Sequence, residues 1–135
     1  MVLIGDHGGY QSLLEKVASR LNRDWAGSKA RAHFIGAYYE AAQGPYSRVL
    51  RDRGLNDAQI GTHAGAADTS LMLATDPGLV RRDELKSSGR DAAAAKALGV
   101  SGEPGLSSAA LGQLGVDLIV SRTTSAIRQA VALRH

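Results

Sequence analysis

From Ser12 to Trp25, apolar residues fall at Leu13, Leu14, Val17, Ala18, Leu21 and Trp25, with Glu15, Lys16, Arg20 and Arg23 between them. Steps of three and four are the period of a helix with one buried face, and Gly27 is placed to end it. Ahead of this helix, the apolar run Met1–Ile4 leads straight into an acid, a histidine and two glycines. Such a run reads as a buried strand that ends in a turn. "KARAHFIGAYY" alternates and then turns apolar, which predicts a second strand from about Arg31 to Ala37. In "GPYSRVLRDRG", Pro45 sits just inside a helix start and Gly54 just past its end.

The next stretch, "LNDAQIGTHAGAADTSLMLATDPGLV", is a loop running into a helix that Leu71, Met72 and Leu73 mark as buried and Pro77 stops. Residues 81–104 are polar and rich in Ala and Gly, an exposed excursion with a short helix expected over Asp91–Leu98. Ser107–Leu133 carries Leu111, Leu114, Leu118, Ile119, Ile127 and Val131 at helical spacing, a long amphipathic helix expected to cover a sheet. Strand, helix, strand and then three helices define a layered α/β domain. Two strands are few for that class, where sheets usually hold about four or more.

Composition narrows the field. The 135 residues suit one domain, and 44% apolar with 21% charged is a globular balance. A net charge of +3 and a pI near 9.5 raise nucleic-acid binding as a question. The sixteen basic residues are scattered with no run of three, and six aromatic residues are too few for a base-stacking platform, so no nucleic-acid partner is expected. Without cysteine there is no thiolate chemistry, and any metal falls to His and carboxylates. No signal-type segment and no apolar run near ~20 residues is present, which sets the expectation of a cytoplasmic protein without a membrane partner.

Two places could carry chemistry. His7 follows a strand, with Gly8 and Gly9 allowing close backbone approach, the position where α/β domains put their sites. The plainer reading is that Asp6 and His7 hydrogen-bond across the turn. The Gly-Gly turn lacks the spacing of a P-loop or dinucleotide fingerprint. His63 lies five residues before Asp68 across a loop-to-helix junction. Imidazole and carboxylate suit zinc or manganese, and a histidine beside a metal can shuttle protons. Alternatively Asp68 merely caps the helix. His33, inside a strand pattern, reads as structural.

Taken together, "IGDHGGYQ", "GTHAGAADTSLMLATDPGLVR" and "GVSGEPGLSSAALGQLGVDLIV" resemble, in that order, the motifs of the creatininase (creatinine amidohydrolase) family. The resemblance implies a three-layer α/β/α sandwich with a mostly parallel sheet. It also implies a site with two divalent ions, zinc or manganese, that hydrolyses a C–N bond of a small cyclic or linear amide. By position, His7 and Asp68 would be metal ligands, His63 the proton donor to the leaving nitrogen, and Gly8, Gly9 and Tyr10 substrate contacts.

Asp68 is one methylene shorter than the family's glutamate, Tyr10 replaces the usual asparagine, and Glu103 replaces an aspartate. The family's Glu-x-His pair and bridging Asp, which belong to an N-terminal half ahead of the first strand, have no counterpart here. The expectation is therefore a chain resembling the C-terminal half, with an incomplete site, that forms a homo-oligomer or joins a complementary N-terminal half. The competing expectation is a non-catalytic α/β subunit that acts by association.

Overall fold

The computed structural model describes residues 1–88, 95 and 97–132, and most of the expected helix over Asp91–Leu98 lies outside them. The chain forms two compact units, one of Met1–Gln43 with the chain from Ile119 onward, the other Gly44–Leu118.

In the first unit, strand β1 (Val2–Leu3) pairs in parallel with β2 (His33–Phe34), Val2 opposite His33 and Leu3 opposite Phe34. The ladder is extended by the His33 amide donating to the Met1 carbonyl at 2.9 Å and Ile35 to Leu3 at 3.0 Å. Parallel strands need a crossover, usually helical, and helix α1 (Gln11–Asp24) supplies it. Asn22 ties the far end of that helix to the returning chain. Its amide donates to the Ala32 carbonyl and its carbonyl accepts the Ala32 amide, both at 2.8 Å. Of the stripe that predicts α1, Ala18 is buried, while Leu13 and Val17 remain 58% and 39% exposed.

Both strands are shorter than the spans Met1–Ile4 and Arg31–Ala37. The parallel α/β expectation holds, and among the described residues the only sheet has two strands.

Helix α2 (Ala37–Asp52) corrects the expected start at Pro45, which lies inside it. Ala37, Glu40, Ala41, Ala42 and Gln43 are helix-compatible residues that carry the helix upstream of the proline. In the second unit, Tyr46 and Leu50 bury completely and, with Ile60 and Ala67, form a core bordered by Val49, Leu55, Leu71, Leu111 and Leu118. Short helix α3 (Asp57–Ile60) is set by a reciprocal capping box between Asn56 and Gln59. Helix α4 (Ala66–Thr75) buries Leu73 but leaves Met72 43% exposed, so the apolar triplet is only partly core. Helix α5 is Arg82–Ser88 and the last helix, α6, is Ala109–Ala132.

Two glycines let α6 approach its neighbours. A Cβ at Gly112 would run into the Ser70 carbonyl, and one at Gly115 would lie 2.6 Å from Tyr46 Cε2 and 2.7 Å from Leu71 Cδ2. Glycine inside a helix costs about 1 kcal/mol relative to alanine. Close packing is the physical reason to keep both.

Candidate functional site

The turn after β1 is built by its own polar groups. His7 adopts extended backbone and caps the one-turn helix Gly8–Tyr10, its Nδ1 accepting the Gly9 amide at 2.9 Å. The imidazole stacks on Tyr10, ring centres 5.4 Å apart. Gln11 braces the turn from below, donating to the carbonyls of Gly5 at 3.0 Å and His7 at 2.9 Å. Tyr10 closes it by accepting the Asp6 amide on its hydroxyl at 3.2 Å. His7, Gly8, Gly9 and Tyr10 are all exposed, so the turn faces solvent. These are four of the six expected site residues, consecutive in the chain.

Two tyrosines from α2 complete this surface, and no local pattern marked them. The Tyr39 hydroxyl lies where a Gly8 side chain would begin, 2.6 Å from an added Cβ. For Tyr38, burial first and then the nearby Asp6 carboxylate push the phenol above the usual tyrosine range. Both lie just past the strand expected over Arg31–Ala37.

The second turn carries His63 and Asp68, in the other unit. Residues 100–104 return to it, which corrects the reading of residues 81–104 as an exposed excursion. His63 and Ser101 form an antiparallel bridge, with the Ser101 amide donating to the His63 carbonyl at 2.8 Å and the Thr62 amide to Ser101 at 2.9 Å. The Thr62 hydroxyl donates to Ser101 Oγ at 3.0 Å, and the Glu103 amide to the Gln59 carbonyl at 2.9 Å.

Glycine makes this seam possible. Gly61 and Gly102 hold φ of +74° and +135°, and a Cβ on Gly102 would lie 2.7 Å from Gly65 Cα and 2.8 Å from Gly61 Cα. Only residues without a Cβ permit three backbones so close.

Asp68 stands in the first turn of α4 but does not cap it. The N-cap is Gly65, without a side-chain bond, and Asp68 Oδ2 instead accepts the Ala64 amide at 2.9 Å. Both His63 and Asp68 are exposed. Beneath them, Ser70 Oγ accepts the Ser108 amide at 3.2 Å, and the Tyr46 hydroxyl donates to the Leu111 carbonyl at 3.3 Å. Burial pushes the Tyr46 phenol up to about 12; the nearby Ser70 hydroxyl opposes this and the Asp68 charge adds to it.

The donor set can be compared with what a divalent ion needs. Water-activating sites usually hold each ion with about three protein ligands. Among the described residues no group of three or more His, Cys, Asp or Glu side chains gathers. His7 raises a further obstacle. With Nδ1 accepting from Gly9, a neutral imidazole carries its proton on Nε2. No lone pair is then offered until the Gly9 bond is given up. Asp68 keeps Oδ1 free of hydrogen bonds among the described residues, while Oδ2 is used. The described residues do not by themselves fit a metal pair.

A parallel β-α-β element whose first strand leads into a histidine followed by two glycines, with a second histidine turn at a later helix start, defines an α/β protein. The family model for creatininase, creatinine amidohydrolase, matches residues 1–127. The chain belongs to the creatininase family, whose members are generally metal-dependent amidohydrolases. No curated relative and no solved structure matches it. No described helix is long and apolar enough to cross a membrane.

Proposed function

We propose that this chain serves hydrolysis of the C–N bond of a small cyclic or linear amide, with His63 giving a proton to the departing nitrogen. The observation that carries this reading is the family match over residues 1–127, which includes both histidine turns. An amide nitrogen leaves poorly as an anion, so a positioned proton donor lowers the barrier, typically by a factor of about 10²–10⁴. His63 suits that role because its side chain is exposed while its backbone is pinned on the Ser101 bridge. Gly8, Gly9 and Tyr10 would contact the substrate at the other turn.

His7 and Asp68 would contribute to a ligand set for zinc or manganese that is completed by donors from outside the described residues. A second copy of the chain, or a chain carrying the family's Glu-x-His pair and bridging Asp, could bring them. Among the described residues the gathered donors are too few for an ion, which is also what a non-catalytic subunit of the same descent would show.

Hydrolysis of creatinine and small formamides, followed with zinc or manganese present and a chain supplying the remaining donors, separates the two. Turnover that appears on mixing and disappears in His63→Ala supports the amidohydrolase reading. A mixture that assembles and stays inert with every named residue intact leaves the non-catalytic subunit.

A further inference from the structure

Among the described residues, Ala64 is the only non-glycine residue in the left-handed region, with φ of +50°. That conformation brings an alanine Cβ against the following carbonyl, a cost glycine escapes. Strained backbone persists only where its surroundings over-determine it. Here both polar groups of Ala64 are taken by side chains of the following helix: Asp68 Oδ2 accepts its amide at 2.9 Å, and the Thr69 hydroxyl donates to its carbonyl at 3.3 Å. Immediately before Ala64, His63 is held through its own backbone by Ser101, its amide donating at 3.4 Å and its carbonyl accepting at 2.8 Å. The turn that carries the imidazole is thus clamped from two directions, and Asp68 supplies the charged half of the clamp on the α4 side.

We propose that Asp68 is a positioning residue for His63: its carboxylate, by accepting the Ala64 amide, locks the left-handed turn that aims the imidazole. The functional part rests on the reading of His63 as proton donor. The carboxylate is spent on the residue ahead of the helix cap rather than on the helix's own free amides, so its service is to the turn. A hydrogen bond to an ionised acceptor is roughly twice as strong as a neutral one, which suits it to holding a strained residue. Oδ1 remains available to other partners, so the role does not depend on whether a metal is bound. Misplacing a catalytic group by about 1 Å can cost on the order of 10²-fold in rate, so a rigid turn has kinetic value.

The test is amide hydrogen exchange on the full chain, with the His63 ring resonances as a second readout, in the wild type, Asp68→Ala, Asp68→Asn and Ala64→Gly/Asp68→Ala. Asp68→Ala is expected to speed exchange of the residue 64 amide about tenfold or more, the size of one charge-assisted hydrogen bond, and to shift the His63 ring signals. Asn retains a carbonyl that can accept the same amide as a neutral, weaker acceptor, so Asp68→Asn should fall between wild type and Asp68→Ala in both readouts. Glycine at 64 needs no lock, so removing Asp68 in that background should move the His63 signals little. Unchanged exchange in Asp68→Ala, or an Asn variant as perturbed as the Ala variant, would overturn the proposal. None of these readouts uses turnover, so failure of the amidohydrolase reading would appear separately, as an inert assembled mixture.

Discussion

Replacing Gly61 by alanine attacks the seam beneath His63 at its tightest point. Gly61 has φ of +74° and ψ of 175°, a region that is essentially glycine-only and costs other residues about 1–3 kcal/mol. The new methyl group would also run into the Ser101 carbonyl and lie 2.6 Å from Gly102 Cα. Backbone, unlike a flexible side chain, cannot step aside, so the cheaper response is to open the seam. Opening releases the Thr62 and His63 amides from Ser101 and the Ser101 amide from His63. Each is worth about 1 kcal/mol net, less for the longer His63 bond.

Strain and lost bonds are alternatives in part, so the predicted destabilisation is about 2–4 kcal/mol rather than their full sum. For a urea slope of about 1–3 kcal/mol per M, the midpoint should fall by roughly 0.7–4 M. The assay is urea unfolding followed by two probes, to check that one transition describes both. Gly27→Ala is the control, because nothing lies within 4 Å of its added Cβ, and it should stay within about 0.5 kcal/mol of wild type. A Gly61→Ala midpoint equal to that of the control would refute the seam as described.

Two further outcomes test the core beneath the same turn. Tyr46 keeps its proton up to about 12 when folded but loses it near 10 when unfolded. The unfolded chain therefore releases this proton first, and its contribution to stability, fully present below pH 10, is lost as pH rises through 12, at no more than about 1.4 kcal/mol per pH unit. Urea midpoints at pH 9, 10 and 11 should fall more steeply for wild type than for Tyr46→Phe; parallel lines would contradict the burial argument. Gly112→Ala should destabilise by about 1–2 kcal/mol, because collision with the Ser70 backbone outweighs the roughly 1 kcal/mol gained in helix propensity. A raised melting temperature would show that α6 has room there.

Local signals were legible and non-local ones were not. The β1 turn, α1, α4 and α6 follow from periodicity and glycine placement, since each is decided by residues within a few positions of one another. The start of α2 was not legible, because a proline inside a helix looks like one at its start. Burial of Tyr46 and Leu50, four residues apart, helps hold the helix beyond Pro45 against a cost of about 3 kcal/mol.

Ser101 meets His63 across a separation of thirty-eight positions, and Tyr38 and Tyr39 meet the first turn across about thirty. No spacing rule encodes such contacts. At the candidate site, the spacing of His63 and Asp68 was informative, but their connection runs through the Ala64 amide rather than a helix cap. A backbone hydrogen-bond acceptor has no signature that separates it from a cap or a ligand.

The most direct measurement of the central claim, that the described residues supply only part of a metal site, is calorimetric titration of zinc and of manganese into this chain alone and into His7→Ala. Two expected donors, His7 and Asp68, with His7 engaged by Gly9, predict weak, substoichiometric heats that His7→Ala barely changes. Tight binding of two ions per chain, abolished by His7→Ala, would contradict it and place a complete donor set within this chain.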